Sequence, residues 1–465
     1  MYQNIYNYFK EISKIPRGTY NIDEISNYLV EFAKKRNLKV IQDESKNVLI
    51  TKEASNGYED KEPIIIQAHM DMVCQKDEDS NHDFLKDGIE IIEENGYLKA
   101  NKTTLGADNG IGVSIILTLL DEDINSPKIE ALFTVNEEGG MEGARDLDIN
   151  LLEGKRLINI DSETEGVITV GCAGGTRVEV SYQGKKEELE GDIITLKVFD
   201  LLGGHSGVDI DKNRVNAIKL IGKILNNLDD INLLEINGGE IDNAICHSCL
   251  VKFITTNNIN IDNLKNDIEK YLKEHNEEEA KVEISKDKFK GLAFTTKSTK
   301  DIINYLNQVL NGVVAYEEGL DKVVKTSLNF GIIKTNMNNI SCCHSIRSSL
   351  DSERELIVSR IKELADSINA QVEIGNSYSG WAYNSNSKLT EYMLDKYKEL
   401  FNKDMIVEVI HAGLECGLFV AKRKDLDCVS IGPTIYNPHT PKEELEIESA
   451  NNLYDYLIKV LKDID

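Results

Sequence analysis

The sequence predicts an α/β protein: a mostly parallel sheet covered by helices, with an inserted α+β domain of two tandem ferredoxin-like units. Three observations point there. Apolar strand-like runs alternate with helix-like segments through the first third of the chain. Near residue 178 a βαββαβ texture takes over and repeats, and near residue 380 the first texture resumes. A chain of 465 residues with 41% hydrophobic content exceeds what one core usually organises and can supply two. The expected domains are 1–177 with 380–465, and 178–379.

In chain order, NIYNYFKEISKI and IDEISNYLVEFAKKRN carry helical periodicity. KNVLIT and PIIIQAHM read as short strands, IGVSIILTLLDE as a helix, and IEALFTV, LINID and GVITVG as further strands. Apolar strands separated by helices argue for a sheet buried on both faces. The inserted stretch then reads GDIITLKVFDLL (strand), RVNAIKLIGKILNNL (helix), INLLEING and CLVKFITT (strands), IDNLKNDIEKYLKEH (helix) and AKVEISK (strand). The same order recurs in AFTTK, TKDIINYLNQVLNG, KTSLNFGIIKT, SCCHSIRSSLD, ERELIVSRIKELADSI and AQVEIGNS. Edge strands of two such units are expected to join into one sheet, which satisfies their open hydrogen-bonding edges. KLTEYMLDKYKELFN, MIVEVIH, LDCVSIGP and ESANNLYDYLIKVLKDI complete the first sheet.

The formal charge of -27, from 53 Lys and Arg against 80 Asp and Glu, disfavours nucleic acid and anionic membrane surfaces as partners, since both select basic patches. An acidic chain can still concentrate cations. No apolar stretch approaches the roughly 20 residues that span a bilayer. The N-terminal MYQNIYNYFKEISKIPRG lacks a basic segment followed by an apolar one, so a cytoplasmic location is expected. The 8 cysteines are spread thinly, which agrees with a reducing compartment. Cys246 and Cys249 with Cys342, Cys343 and His344 could be imagined as a structural zinc site. Adjacent cysteines on a strand point to opposite faces and chelate poorly, so free thiols are expected.

Polar insertions interrupt the apolar runs of the first domain at the carboxyl ends of its strands, where ligands bind in open α/β sheets. His69 and Asp71 follow PIIIQA, Asp108 precedes IGVSIILTLL, Glu137 and Glu138 follow ALFTVN, Asp161 follows LINI, and His439 lies beyond CVSIG. Each alone has a plainer reading. His69 and Asp71 could close a strand end as a hydrogen-bonded pair, Asp108-Asn109-Gly110 could be a turn, Glu137-Glu138 a solvated pair and His439 a loop histidine. Five such insertions on one sheet point to metal instead. Two histidines and three carboxylates suit two divalent ions about 3.5 to 4 Å apart with one carboxylate bridging, zinc or manganese fitting best. Adjacent Glu137 and Glu138 point in different directions, so one can ligate while the other serves as a general base.

HMD, GADNGIG, NEEGG, IDSE, GGHSG and NPHTP, in this order, resemble the M20 family of co-catalytic metallopeptidases. TTLGADNGIG, LINIDSETEG with VGCAGGT, INGGEIDNAI and HAGLECGLF are similar to its aminoacyl-histidine dipeptidase (carnosinase-like) branch. The resemblance spans nearly the whole chain. It implies His69 and Asp161 on one metal, Glu138 and His439 on the other, Asp108 bridging, Glu137 as the base and Asp71 holding His69. It also implies a cis peptide at Asp108-Asn109. The cofactors would be two divalent ions, zinc foremost, with manganese or cobalt as alternatives. The inserted domain then resembles that family's lid, with His205 stabilising the oxyanion. Asn243 and Arg347, both placed on lid strands, would take the substrate's terminal carboxylate, and backbone at Gly413 would meet its amino end. Arg347 could equally be a surface salt-bridge residue.

The implied activity is hydrolysis of Xaa-His and related short dipeptides. A tripeptidase, or an amidohydrolase acting on N-acyl amino acids, would share the machinery. A binding protein on a dead hydrolase fold would lack Glu137, Asp108 or His439, and all three are present. The expected assembly is a monomer or homodimer.

Overall fold

A computed structural model describes residues 2–320 and 322–464. By its contacts the chain divides into two compact units: one takes residues up to Gly171, Tyr383–Ile410 and Leu414 onward, the other Cys172–Ala382 and His411–Gly413.

The first unit is built on an eight-stranded sheet. Its order is Lys39–Gln42, Val48–Lys52, Ile129–Thr134, Ile64–His69, Arg156–Ile160, Asp427–Ile431, Val167–Cys172 and Ile406–Ile410. The four middle strands, from Ile129–Thr134 to Asp427–Ile431, are parallel, and Val48–Lys52, Lys39–Gln42 and Val167–Cys172 pair antiparallel outside them. Ile64–His69 and Ile129–Thr134 are buried at every position, as strands covered on both faces must be. Helix Ala107–Asp121 is apolar on every side and accordingly buried around its circumference, whereas Tyr2–Ile12 buries one stripe of Ile5, Tyr8, Phe9 and Ile12. A second, four-stranded sheet pairs Ile435–Tyr436 with Glu444–Glu446, and the loop between these two short strands carries His439. No helix among the described residues is long and apolar enough to cross a membrane.

The second unit is one nine-stranded sheet containing two ferredoxin-like units. Lys186–Phe199, Ile231–Gly238, Cys249–Thr255 and Lys281–Phe294 form the first, with the fourth strand beside the first and the third between first and second. The other has the same spatial order, but its first strand is Gly174–Gln183, which precedes the whole first unit. The units are therefore nested, and the segmentation expected from AFTTK is corrected. Lys281–Phe294 runs unbroken along Lys186–Phe199 out to the pair Lys186–Phe294, leaving no separate strand at AFTTK. The missing strand sits in GGTRVEVSYQ, where Val178, Val180 and Tyr182 alternate inward. The units join edge to edge where Gly238 pairs with Ile333, and Thr335 hydrogen-bonds the backbone N–H and C=O of Ile236 through its hydroxyl. None of the 8 cysteines forms a disulfide, and seven are buried.

Candidate metal centre

The middle parallel strands all end at the same edge of the first sheet, so the segments leaving their carboxyl ends converge. His69 closes its strand, Asp161 follows Ile160, Glu137 and Glu138 follow Thr134 by three and four residues, and His439 lies beyond Ile431. Asp108 enters from the first residues of Ala107–Asp121, where Asp108 and Asn109 depart from helical φ/ψ, and the Asp108-Asn109 peptide is cis. His69 Nε2 lies 3.1 Å from Asp108 Oδ1 and 3.2 Å from Asp161 Oδ1. His439 Nε2 lies 2.9 Å from Asp108 Oδ2 and 2.9 Å from Glu138 Oε1. The two oxygens of Asp108 thus face two different donor groups. Three sets of donors lie within 4.8 Å of one another: His69 with Asp108 and Asp161, Asp108 with Glu138 and His439, and His69 with Glu137 and Glu138.

Asp71 is fully buried behind this cluster. Its Oδ1 faces His69 Nδ1 at 3.5 Å and accepts the Glu137 N–H at 3.1 Å, while Oδ2 accepts from Thr19 Oγ1 at 2.9 Å. The Asp71 backbone carbonyl lies closer still to His69 Nδ1, at 3.2 Å, so Asp71 orients the imidazole through both its carbonyl and its carboxylate, and the carboxylate also holds the turn that starts at Glu137. A buried polar tier lies one strand repeat further back. Asn159 donates to Gln67 Oε1 at 2.6 Å, and Gln67 and Thr134 both donate to Glu415 Oε2, at 2.6 and 2.7 Å. Gln67 precedes His69 by two residues and Asn159 precedes Asp161 by two, which places each pair on one side of its strand. The strand ends bearing the imidazole and the carboxylate are tied side by side.

The electrostatics express an excess of anions. Burial pushes the Glu137 carboxyl well above its ordinary range, and Asp161, Glu415 and Glu138 add to it against His69. Burial raises Glu138 and Asp161 as well. Glu415 is pushed up to about 8 by burial, and Glu163 to about 8 by burial with Asp108 and Asp161 adding. Burial alone would lower the His69 imidazole, but Asp161, Asp108 and Asp71 hold it well above its usual value. Hydrogen bonds to Asp108 and Glu138 raise His439 to about 11. His69 and His439 face the carboxylates of Asp108, Glu137, Glu138 and Asp161, and that donor set fits divalent cations, which would favour the ionised carboxylates.

In the second unit His205 lies in the turn after Gly203 and Gly204, both with positive φ. Its Nδ1 accepts the N–H groups of Gly207 and Val208, each at 3.3 Å, so the ring proton sits on Nε2. Burial, then the charge of Arg347, hold its pKa below the usual value, so the ring is neutral. Arg347 is on strand Asn339–Ser348 and 9% exposed, has no carboxylate partner among the described residues, and donates to the Tyr378 hydroxyl at 3.4 Å. The surface salt-bridge alternative is thereby corrected. His411 opens the HAGLECGLF stretch, in which the sequence singles out only Gly413. It bonds Ser327, the cross-strand partner of Arg347, at 2.7 Å, and its carbonyl closes on Gly207. The strand placement of Asn243 is corrected too: it lies in the exposed loop between Ile231–Gly238 and Cys249–Thr255, its carbonyl accepting the Ser206 N–H at 2.8 Å. Gly413 belongs to the short 411–413 segment of this unit.

Paired acidic and imidazole donors at the strand ends of a parallel α/β sheet, in a chain with an inserted α+β unit, define a candidate metal-binding α/β class. Residues 65–463 match the model of peptidase family M20/M25/M40, and the chain belongs to that family. It is 37% identical to the cytosol non-specific dipeptidase of Escherichia coli (strain K12), over 99% of this chain and 98% of that one. The crystal structure of aminoacylhistidine dipeptidase from Vibrio alginolyticus superposes with a TM-score of 0.94 at 35% identity, covering 99% and 96% of the two chains. Aminopeptidase PepT from Bacillus cereus shares the fold at TM-score 0.60 and 17% identity, covering 100% and 99%.

Proposed function

We propose that the chain is a cytosolic dipeptidase that hydrolyses Xaa-His and related short dipeptides with two divalent ions, zinc foremost and manganese or cobalt as alternatives. The observation that carries the reading is the Asp108 carboxylate, one oxygen directed at His69 and the other at His439. In this reading His69 and Asp161 hold one ion, Glu138 and His439 the other, and Asp108 belongs to both. The names of the Escherichia coli and Vibrio alginolyticus relatives support the substrate class, and the former supports the location.

The ions supply Lewis acidity for amide hydrolysis. Glu137 takes the proton of the attacking water as general base and returns it to the leaving amine. Asp71 fixes His69 and the Glu137 turn together. His205, neutral with its proton on Nε2, donates to the developing oxyanion. Arg347, a buried guanidinium without a carboxylate partner among the described residues, and Asn243 would receive the terminal carboxylate, and backbone at Gly413 would meet the amino end.

The test combines metal analysis with a substrate panel. The wild-type chain should hold two ions and cleave carnosine and other dipeptides, and Asp108→Ala should hold neither. Two metals retained in Asp108→Ala would remove the bridge, and cleavage of N-acetyl amino acids or tripeptides in preference to dipeptides would replace the substrate class.

A further inference from the structure

Beyond the residues that face the ions, Glu443 holds an unusual position. Its carboxylate is buried, 2% exposed, and accepts four consecutive backbone N–H groups. Oε2 takes Leu105 at 2.7 Å and Gly106 at 2.9 Å; Oε1 takes Ala107 at 2.8 Å and Asp108 at 3.2 Å. Those amides are the turn that delivers Asp108. Glu443 itself closes the loop that carries His439, a loop braced internally by Glu443 N–H to Thr440 O at 3.1 Å and Thr440 Oγ1 to Asn437 O at 2.9 Å. Arg17, also buried, grips the same turn from its carbonyl side, donating to Gly106 O at 2.5 Å and to Met70 O and Asp71 O at 3.2 Å each. Gly106 has φ 67, and a Cβ there would meet Arg17 at 2.6 Å, so the turn is fitted to the clamp.

We infer that Glu443 is a positioning residue that sets Asp108 against His439 and so determines how the ion between Asp108, Glu138 and His439 is held; this rests on the two-metal reading above. The chemistry explains why a carboxylate is needed. Only an acceptor with lone pairs on both oxygens can receive four N–H donors, and its charge strengthens each bond. Glutamine would turn an NH2 group toward two of those donors, and aspartate is one methylene short.

The experiment uses full-length protein with zinc as the probe. Wild type, Glu443→Gln, Glu443→Asp and the neighbouring control Glu444→Gln are compared in three readouts. These are urea unfolding of the metal-free chain, zinc affinity against a chromophoric chelator, and kcat and KM on a dipeptide at saturating zinc. Expected is a second zinc ion bound about 10- to 100-fold more weakly in Glu443→Gln. With it should come a more than roughly tenfold loss of kcat and a KM within about threefold. Glu443→Asp should be intermediate and Glu444→Gln should match wild type. If Glu443→Gln fails to fold, Glu443→Asp carries the same comparison. Wild-type zinc affinity and kcat per folded chain in the Glu443 variants, with or without a lower unfolding midpoint, would overturn the inference alone. A wild-type chain that takes up no second zinc ion would overturn the two-metal reading beneath it.

Discussion

His344 should make the second unit sensitive to acid well above the usual carboxylate range. The imidazole is fully buried on strand Asn339–Ser348, its Nε2 is 2.7 Å from the Tyr305 hydroxyl, and its ring packs on Phe330 with centroids 4.3 Å apart. Burial, with the Lys219 ammonium adding, lowers its pKa from 6.5 to about 3. That ammonium is held by the carbonyls of Leu306 and Val309 at 2.5 and 2.6 Å. Above 6.5 the ring is neutral in folded and unfolded chains alike, and no stability is lost. As pH falls through 6.5 the unfolded state binds a proton that the folded state refuses, so stability declines until the folded ring titrates near 3. At about 1.36 kcal/mol per pH unit, the loss is about 2 kcal/mol at about pH 5 and about 5 kcal/mol in the limit. His344→Gln keeps a hydrogen-bonding partner for Tyr305 and cannot titrate. Native-state hydrogen exchange of the strand amides, measured for both proteins between about pH 7.5 and about pH 5, isolates the histidine because every other group is shared. The variant should gain about 2 kcal/mol on wild type over that interval. Parallel curves, within about 0.5 kcal/mol, would show that the folded ring accepts its proton as readily as the unfolded one and refute the reasoning.

Three further outcomes are expected from the proposed machinery. Glu137→Gln should keep both metals and the fold while kcat falls about 10²- to 10⁴-fold, and near-normal turnover would remove Glu137 as the base. His205→Ala should lower kcat about 10²- to 10³-fold with little change in KM, because a donor to the oxyanion acts mainly in the transition state; a pure KM effect would contradict this. Arg347→Met should raise KM for a dipeptide about tenfold or more but leave hydrolysis of the corresponding dipeptide amide nearly unchanged, and equal losses on both substrates would exclude a carboxylate contact.

Much of this protein is written locally. Strand Ile64–His69 declares itself by an apolar run, and the polar residues that end it and its parallel neighbours mark an edge where side chains converge. The helix at Ala107–Asp121 is equally plain in IGVSIILTLL. The amphipathic periods of the inserted stretch identified helices and strands of two ferredoxin-like units, because each period records which face is buried. What a period does not record is the partner. The periods assign one unit's first strand to AFTTK, and only the tertiary pairings place it in GGTRVEVSYQ: Lys281–Phe294 runs on along Lys186–Phe199, while Gly174–Gln183 pairs with Asn339–Ser348 and Gln371–Tyr378. Glu443, Glu415, Arg17 and His411 were silent for the same reason. Each acts through groups far away in the chain, such as the Leu105–Asp108 amides that Glu443 accepts from more than 300 positions earlier. A charged residue in a polar loop looks solvated until the fold encloses it. The sequence by itself determined the elements and the donors at their ends, because those depend on spacing along one strand or helix. The tertiary structure alone decided the nesting of the units and the clamps behind the donors, because backbone hydrogen bonds and burial depend on which distant segments are brought alongside.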